Sequence, residues 1–74
     1  MTPRPVKHSL TLRGHRTSVT LEPAFWQAFR NIAEQKRLSI NALAAKIDAT
    51  REPDTGLASA IRVFVLQYYL AQSD

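Results

Sequence analysis

The stretch that decides the fold is His15-Arg-Thr-Ser-Val-Thr-Leu-Glu-Pro23. It is rich in β-branched residues and alternates with period two, which is typical of a β-strand with one buried face. Because successive side chains of a strand point to opposite sides, one face is polar and carries a cation, and the other can be buried. The polar face comprises Arg16, Ser18 and Thr20, and the opposite face comprises Thr17, Val19 and Leu21.

Three helices are predicted after this strand. The first begins at Pro23, because proline fits the first helical position, and it ends near Lys36. The second runs from Ile40 to about Thr50, with Ser39 as its N-cap. A loop at 51–56 containing proline and glycine precedes the third helix, which extends from about residue 57 to residue 71. The third helix is apolar around much of its circumference, which favours a central position or an interface shared between subunits.

The positive charge of the chain is concentrated before the first helix. The net charge is +4, and residues 1–21 contain four cations and no acid, whereas the six basic and six acidic residues that follow cancel. Such asymmetry indicates contact with a polyanion, either nucleic acid or an anionic membrane. The four cations are Arg4, Lys7, Arg13 and Arg16. Residues 1–8, which include two prolines and show no periodicity, are predicted to form a flexible basic arm before a domain at 9–74.

Length and composition limit the class of protein. Seventy-four residues form one small domain, which is marginally stable alone. The absence of cysteine excludes disulfides and thiolate-bound zinc, and His8 and His15 alone do not make a metal site. No apolar run is long enough to span a bilayer, and the N-terminus lacks a signal-peptide core. We therefore expect a cytoplasmic protein without a cofactor that gains additional core by pairing with a second copy of itself.

Dimerisation is also expected from the strand. A single strand leaves its backbone groups unpaired, and antiparallel pairing with the same strand of a second subunit about a two-fold axis would satisfy them. Both copies of Arg16, Ser18 and Thr20 would then project from one face. A two-stranded ribbon fits the roughly 12 Å major groove of B-DNA, where arginine bonds guanine edges and hydroxyls donate or accept.

The segment Thr17-Ser-Val-Thr-Leu-Glu-Pro23, followed by an amphipathic helix and then Leu38-Ser-Ile-Asn-Ala-Leu43, resembles the ribbon-helix-helix family, which includes the Arc and methionine repressors. His8–Leu21 together with Ser59–Leu66 resembles a short bacterial subfamily. The resemblance implies a mainly α fold and a DNA-binding transcriptional regulator, in the specific form of a repressor. It also implies contacts to double-stranded DNA from Arg16, Ser18 and Thr20 to bases, and from Ser39, Ile40 and Asn41 to phosphates. Arg13 and His15 are expected to contact phosphates as well.

Two other classes of function are a protein-interaction module and an enzyme. A dimer of the same fold can be a protein-interaction module, such as an antitoxin or adaptor, whose C-terminal helix binds a protein partner while its DNA face is weak or unused. Catalysis is not expected, because two histidines, scattered carboxylates and no glycine-rich phosphate loop do not assemble a nucleophile, a base and an oxyanion site. The loop at 51–56 also interrupts a region that is one continuous helix in many members of the resembled family.

Overall fold

A computed structural model describes residues 4–73. The element order is β1 (Val6–Leu12), β2 (His15–Leu21), α1 (Pro23–Gln35), α2 (Ile40–Thr50) and α3 (Leu57–Gln72). The predicted mainly α class and the three helices are confirmed, with ends that differ by only a residue or so from those expected.

The N-terminal region differs from the prediction, because β2 has a partner strand within its own chain. β1 and β2 form an antiparallel hairpin in which Leu12 is opposite His15 and Val6 is opposite Leu21. Arg13 and Gly14 connect them with φ values of 51° and 83°. Positive φ at both central residues is the signature of a type I′ turn, whose twist matches that of the flanking strands. The expectation of a single strand was therefore wrong.

The predicted flexible arm at 1–8 was also wrong in part, since residues 6–8 belong to β1. Residues 1–3 lie outside the described residues. The two prolines and the absence of periodicity favoured an arm, but residues 6–8 are held by backbone pairing with Val19–Leu21, which hydrophobic periodicity does not reveal.

The turn between α1 and α2 closes through backbone hydrogen bonds. The N–H of Leu38 donates to the carbonyl of Ala33 at 2.9 Å, and the N–H of Arg37 donates to the carbonyl of Glu34 at 3.0 Å. Arg37 has a φ of 57°, so the geometry is a Schellman motif with arginine where glycine is usual. Ser39 then begins α2 as the predicted N-cap, its Oγ accepting from the N–H of Ala42 at 3.0 Å.

The hairpin covers the helices, with β1 packed over α2 and β2 packed over α3. Every element contributes to one apolar core, and the fully buried large side chains are Phe29, Leu21, Ile32 and Ile61. Val19 and Leu21 are buried as expected from the alternation. Thr17, placed on the same face, is exposed, although Leu10 opposite it on β1 is buried.

Candidate nucleic-acid interface

The hairpin presents one face entirely to solvent. Opposite residues of an antiparallel pair share a face, so the register places three cross-strand pairs on this outer face. We call these six exposed residues the outer ribbon face: Lys7 opposite Thr20, Ser9 opposite Ser18, and Thr11 opposite Arg16. The three residues predicted from the sequence to contact bases are therefore brought together, and three more polar side chains lie beside them.

The charge of the outer ribbon face has one sign. Lys7 and Arg16 are cationic, and the other four side chains carry hydroxyls that donate or accept hydrogen bonds. Arg4 and Arg13, also exposed, are on the same N-terminal segment. The first acid after them, Glu22, is paired with Arg62 on α3, whose Nε donates a hydrogen bond to Glu22 Oε1 at 2.9 Å. This hydrogen bond holds the pKa of Glu22 below its ordinary value. The outer ribbon face is therefore a solvent-exposed surface that is cationic and rich in hydroxyls.

The backbone of β2 has an open edge. Because Leu12 and His15 flank a two-residue turn, they form a hydrogen-bonded pair, and such pairs recur at every second residue. The N–H and C=O groups of Arg16, Ser18 and Thr20 consequently point away from β1. No other strand within residues 4–73 pairs with this edge. Arg62 Nη2 donates to Thr20 O there, but at the long distance of 3.5 Å.

The corresponding edge of β1 is paired at one position. The N–H of Thr11, which points away from β2, donates to Asn41 Oδ1 at 3.0 Å. Asn41 lies in the first turn of α2, beside Ile40 and the N-cap Ser39. The structure therefore places three of the five residues predicted to bind phosphate at the β1 side of the ribbon, with Ser39 and Asn41 exposed and Ile40 half-buried. Asn41 has a structural contact that the sequence did not indicate.

Arg13 and His15 are not on the outer ribbon face. Arg13 is exposed in the turn, and its Nη2 donates to Ala45 O at 3.4 Å. His15 is opposite Leu12 and therefore on the side of the hairpin that faces the helices, where it lines a groove with Arg51 and Asp48. Both residues lie at the turn end of the ribbon, away from the centre of its polar face.

Sequence reasoning missed the contribution of β1 to this face. Lys7, Ser9 and Thr11 alternate with His8, Leu10 and Leu12, and that alternation was the available signal. An Arg-Gly turn is a weaker indication of a hairpin than Asn-Gly, because arginine seldom adopts positive φ. His8 lies on the inner side, where its ring stacks on Trp26 with centroids 3.8 Å apart, so Trp26 packs under the ribbon.

No group of three or more histidine, cysteine, aspartate or glutamate side chains in residues 4–73 is arranged to hold a metal ion. None of the helices in that range is long and apolar enough to cross a membrane.

Comparison with known proteins agrees with this geometry. Residues 5–69 match the family model described as the ribbon-helix-helix domain, which covers the hairpin and nearly all of the three helices. The chain belongs to the ribbon-helix-helix family. Domains of this family are in general DNA-binding regulators that bind as dimers. No curated protein and no solved structure gave a significant match to the chain.

Proposed function

We propose that this ribbon-helix-helix protein is a cytoplasmic, sequence-specific transcriptional regulator, in the specific form of a repressor, that binds double-stranded DNA as a homodimer. The observation that carries the proposal is the outer ribbon face, which gathers two cations and four hydroxyls without an acid. A face of this chemistry is suited to base edges and phosphates.

The open edge of β2 supports the dimer. Two copies of this edge are self-complementary about a two-fold axis, and pairing them gives a sheet with the order β1-β2-β2-β1. Strands lie about 4.8 Å apart, so the two central strands fit a major groove roughly 12 Å wide, whereas all four exceed it. Arg16, Ser18 and Thr20 on the central strands therefore contact bases, and the β1 strands lie toward the phosphates.

The phosphate contacts follow from the same placement. Lys7 on β1 and Ser39, Ile40 and Asn41 at the start of α2 lie on the outer flank of each ribbon half. Free N–H groups at a helix start bind anions. We place Arg13 and His15 at the turn end, where they contact phosphates beyond the central base pairs.

Binding of a labelled duplex pool at two salt concentrations tests this function. Phosphate contacts predict a steep loss of affinity between about 50 and 200 mM salt. Arg16→Ala is expected to relax sequence preference and to reduce the binding free energy by about 1–3 kcal/mol. Lys7→Ala is expected to weaken binding to all sequences alike and to reduce the salt slope, which is the slope of log affinity against log salt concentration, by about one. Lys46→Ala is the control, because Lys46 lines a groove with Phe64 on the helical side of the molecule.

The alternative is an antitoxin or adaptor that uses the same dimer and leaves the ribbon unused. The same assay separates the two functions. If the chain binds no duplex at the lower salt concentration, that result contradicts the DNA-binding proposal and favours the protein-interaction module.

A further inference from the structure

A groove lies at the turn end of the hairpin, on the side that faces the helices. Its volume is about 360 Å³, which is within the range of small-molecule sites in proteins. We call it the turn groove. Three separate parts of the chain meet there, namely the hairpin, the end of α2 and the start of α3. The lining residues that matter below are Arg13, His15, Thr17, Asp48, Arg51 and Leu57.

Positive charge exceeds negative charge in the turn groove. Arg13 and Arg51 are cationic, and the acid that lines it, Asp48, is bonded to Arg51, whose Nε donates to Asp48 Oδ1 at 2.7 Å. Two positive charges and one negative charge leave an excess of one positive charge. The imidazole of His15 adds a donor, because the ring carries at least one N–H in either protonation state. The groove is therefore suited to an anion.

The guanidinium of Arg51 is fixed in position and still has donors for a ligand. Its Nε bonds Asp48, and its Nη1 donates to the carbonyl of Thr55 at 2.7 Å. A guanidinium has five N–H donors, so these two bonds leave three. The side chain of Arg51 is 30% exposed, so it remains accessible from the groove. Because the guanidinium is fixed before an anion binds, little conformational freedom is lost on binding.

The donors of the turn groove match a phosphate group. A phosphate monoester presents three oxygens that accept hydrogen bonds and carries a charge of about −1.5 to −2 at neutral pH. Arginine binds such a group with two parallel hydrogen bonds. The turn groove opens on the side that faces the helices, whereas the duplex is proposed to lie against the outer ribbon face. A small molecule therefore fits the groove better than the DNA backbone does.

We propose that the turn groove binds a small molecule bearing a phosphate monoester, held by Arg13, His15 and Arg51, and that this molecule lowers the affinity for DNA. The effect on DNA rests on the proposed function, in which Arg13 and His15 contact DNA phosphates at this end of the ribbon. A side chain that holds the phosphate of the ligand is not available to the duplex. Because such coupling is reciprocal, DNA weakens binding of the ligand by the same factor.

Titration of the free chain with inorganic phosphate tests the site without DNA. At constant ionic strength, the backbone amide signals of Gly14, Thr17 and Arg51 in heteronuclear NMR spectra should shift along one saturating curve in the millimolar range. Thr17 is exposed, so Thr17→Glu adds a carboxylate to the groove at little cost to folding. It should weaken phosphate binding at least about tenfold, because like charges repel.

Gln35→Glu is the control for the added carboxylate. It places the same charge at the end of α1 and keeps an acceptor for the hydroxyl of Tyr68, so phosphate binding should change less than about twofold. Shifts that do not saturate, or that persist unchanged in Thr17→Glu, indicate non-specific attraction of the anion to a cationic chain and overturn the site.

Two further substitutions separate binding by Arg51 from its structural role. Arg51→Gln and Asp48→Asn both remove the ion pair between these residues, but the first removes a cation from the groove and the second removes an anion. Phosphate binding should weaken severalfold in Arg51→Gln and strengthen in Asp48→Asn. Thermal unfolding verifies that both variants fold. Equal weakening in the two variants shows that the pair only shapes the loop and overturns the assignment of Arg51.

Duplex titrations with and without phosphate, at equal ionic strength, test the effect on DNA. Saturating phosphate should lower the duplex affinity of the wild type about fivefold or more and leave that of Thr17→Glu unchanged. Duplex binding that ignores bound phosphate overturns the regulatory effect and leaves the DNA-binding proposal intact. A chain that binds phosphate in the groove but binds no duplex supports the site and overturns the proposed function. A chain that binds duplex but shows no saturable phosphate binding overturns the site alone.

Discussion

The side chain of Asn41 holds the hairpin against α2, its Oδ1 accepting a hydrogen bond from the backbone N–H of Thr11 at 3.0 Å. The two residues are 30 positions apart, so this bond joins the outer strand of the ribbon to the first turn of a helix. It covers part of the edge of β1 that β2 does not. The start of α2 is therefore fixed relative to the outer ribbon face.

Replacing Asn41 by alanine should loosen this connection. We expect Asn41→Ala to lower the free energy of unfolding by about 1 kcal/mol, the usual contribution of one hydrogen bond. Amide hydrogen exchange of Thr11 should accelerate severalfold, because its N–H loses its acceptor. Asn31→Ala is the control, since it removes an amide bonded only to Gln27 on the exposed side of α1. Unchanged exchange at Thr11 would contradict the structural role of Asn41.

Ser39 combines a helix cap with a proposed phosphate contact, and two substitutions separate these roles. Ser39→Ala removes the acceptor of the Ala42 N–H and should cost about 1 kcal/mol of stability. Ser39→Asp keeps a cap of similar quality and favours the positive end of the helix dipole, so its melting temperature should match or exceed that of the wild type.

Ser39→Asp should also weaken duplex binding about tenfold, because its carboxylate would repel the phosphate that the start of α2 is proposed to bind. Thermal unfolding and duplex titration at one salt concentration measure the two effects. Full affinity in Ser39→Asp would show that α2 does not contact the DNA backbone.

Arg13 occupies a turn position that suits asparagine better. Its φ of 51° is unfavourable for arginine, whereas Asn-Gly is the preferred pair of a type I′ turn. Arg13→Asn should therefore stabilise the fold by about 0.5–1 kcal/mol, which exceeds the loss of the long 3.4 Å contact to Ala45 O. If Arg13 also binds phosphate, the variant should lose affinity and its salt slope should fall by about one.

Arg13→Lys completes this comparison because it retains the charge without improving the turn. Chemical denaturation and duplex binding at two salt concentrations report on stability and affinity separately. A less stable Arg13→Asn would contradict the turn assignment, and an unchanged salt slope would remove Arg13 from the phosphate contacts.

The ion pair between Glu22 and Arg62 makes stability depend on pH. The hydrogen bond from Arg62 lowers the pKa of Glu22 in the folded chain below its value of 4.5 in the absence of partners. A carboxyl whose pKa is lowered by folding stabilises the native state above its unfolded pKa, and this stabilisation is lost as pH falls through the folded pKa.

Melting temperatures are measured at a series of pH values from neutral downwards. At neutral pH, the wild type should melt at a higher temperature than Glu22→Gln. The difference should narrow once the pH drops below about 4.5. Arg62→Gln should show the same narrowing, because it removes the same interaction from the other side. A difference that stays constant across this range would mean that the pair does not link folding to protonation.

Local patterns in the sequence were sufficient for the strand at His15–Leu21 and for the three helices. Period-two alternation defined β2, proline at position 23 set the start of α1, and the serine at 39 marked the N-cap of α2. These signals depend on neighbouring residues alone, so they can be recognised without knowledge of the fold.

The sequence by itself therefore determined β2 and the three helices, the polar face of β2 and the cationic character of the N-terminal segment. Only the tertiary structure decided that β1 pairs with β2, that Lys7, Ser9 and Thr11 extend the polar face, and that Asn41 covers one ribbon edge. Those features depend on backbone hydrogen bonds and on contacts between distant positions. The alternation in β1 indicates a strand but not its partner, because the backbone groups that pair are the same in every residue, and the contact between Thr11 and Asn41 spans 30 positions.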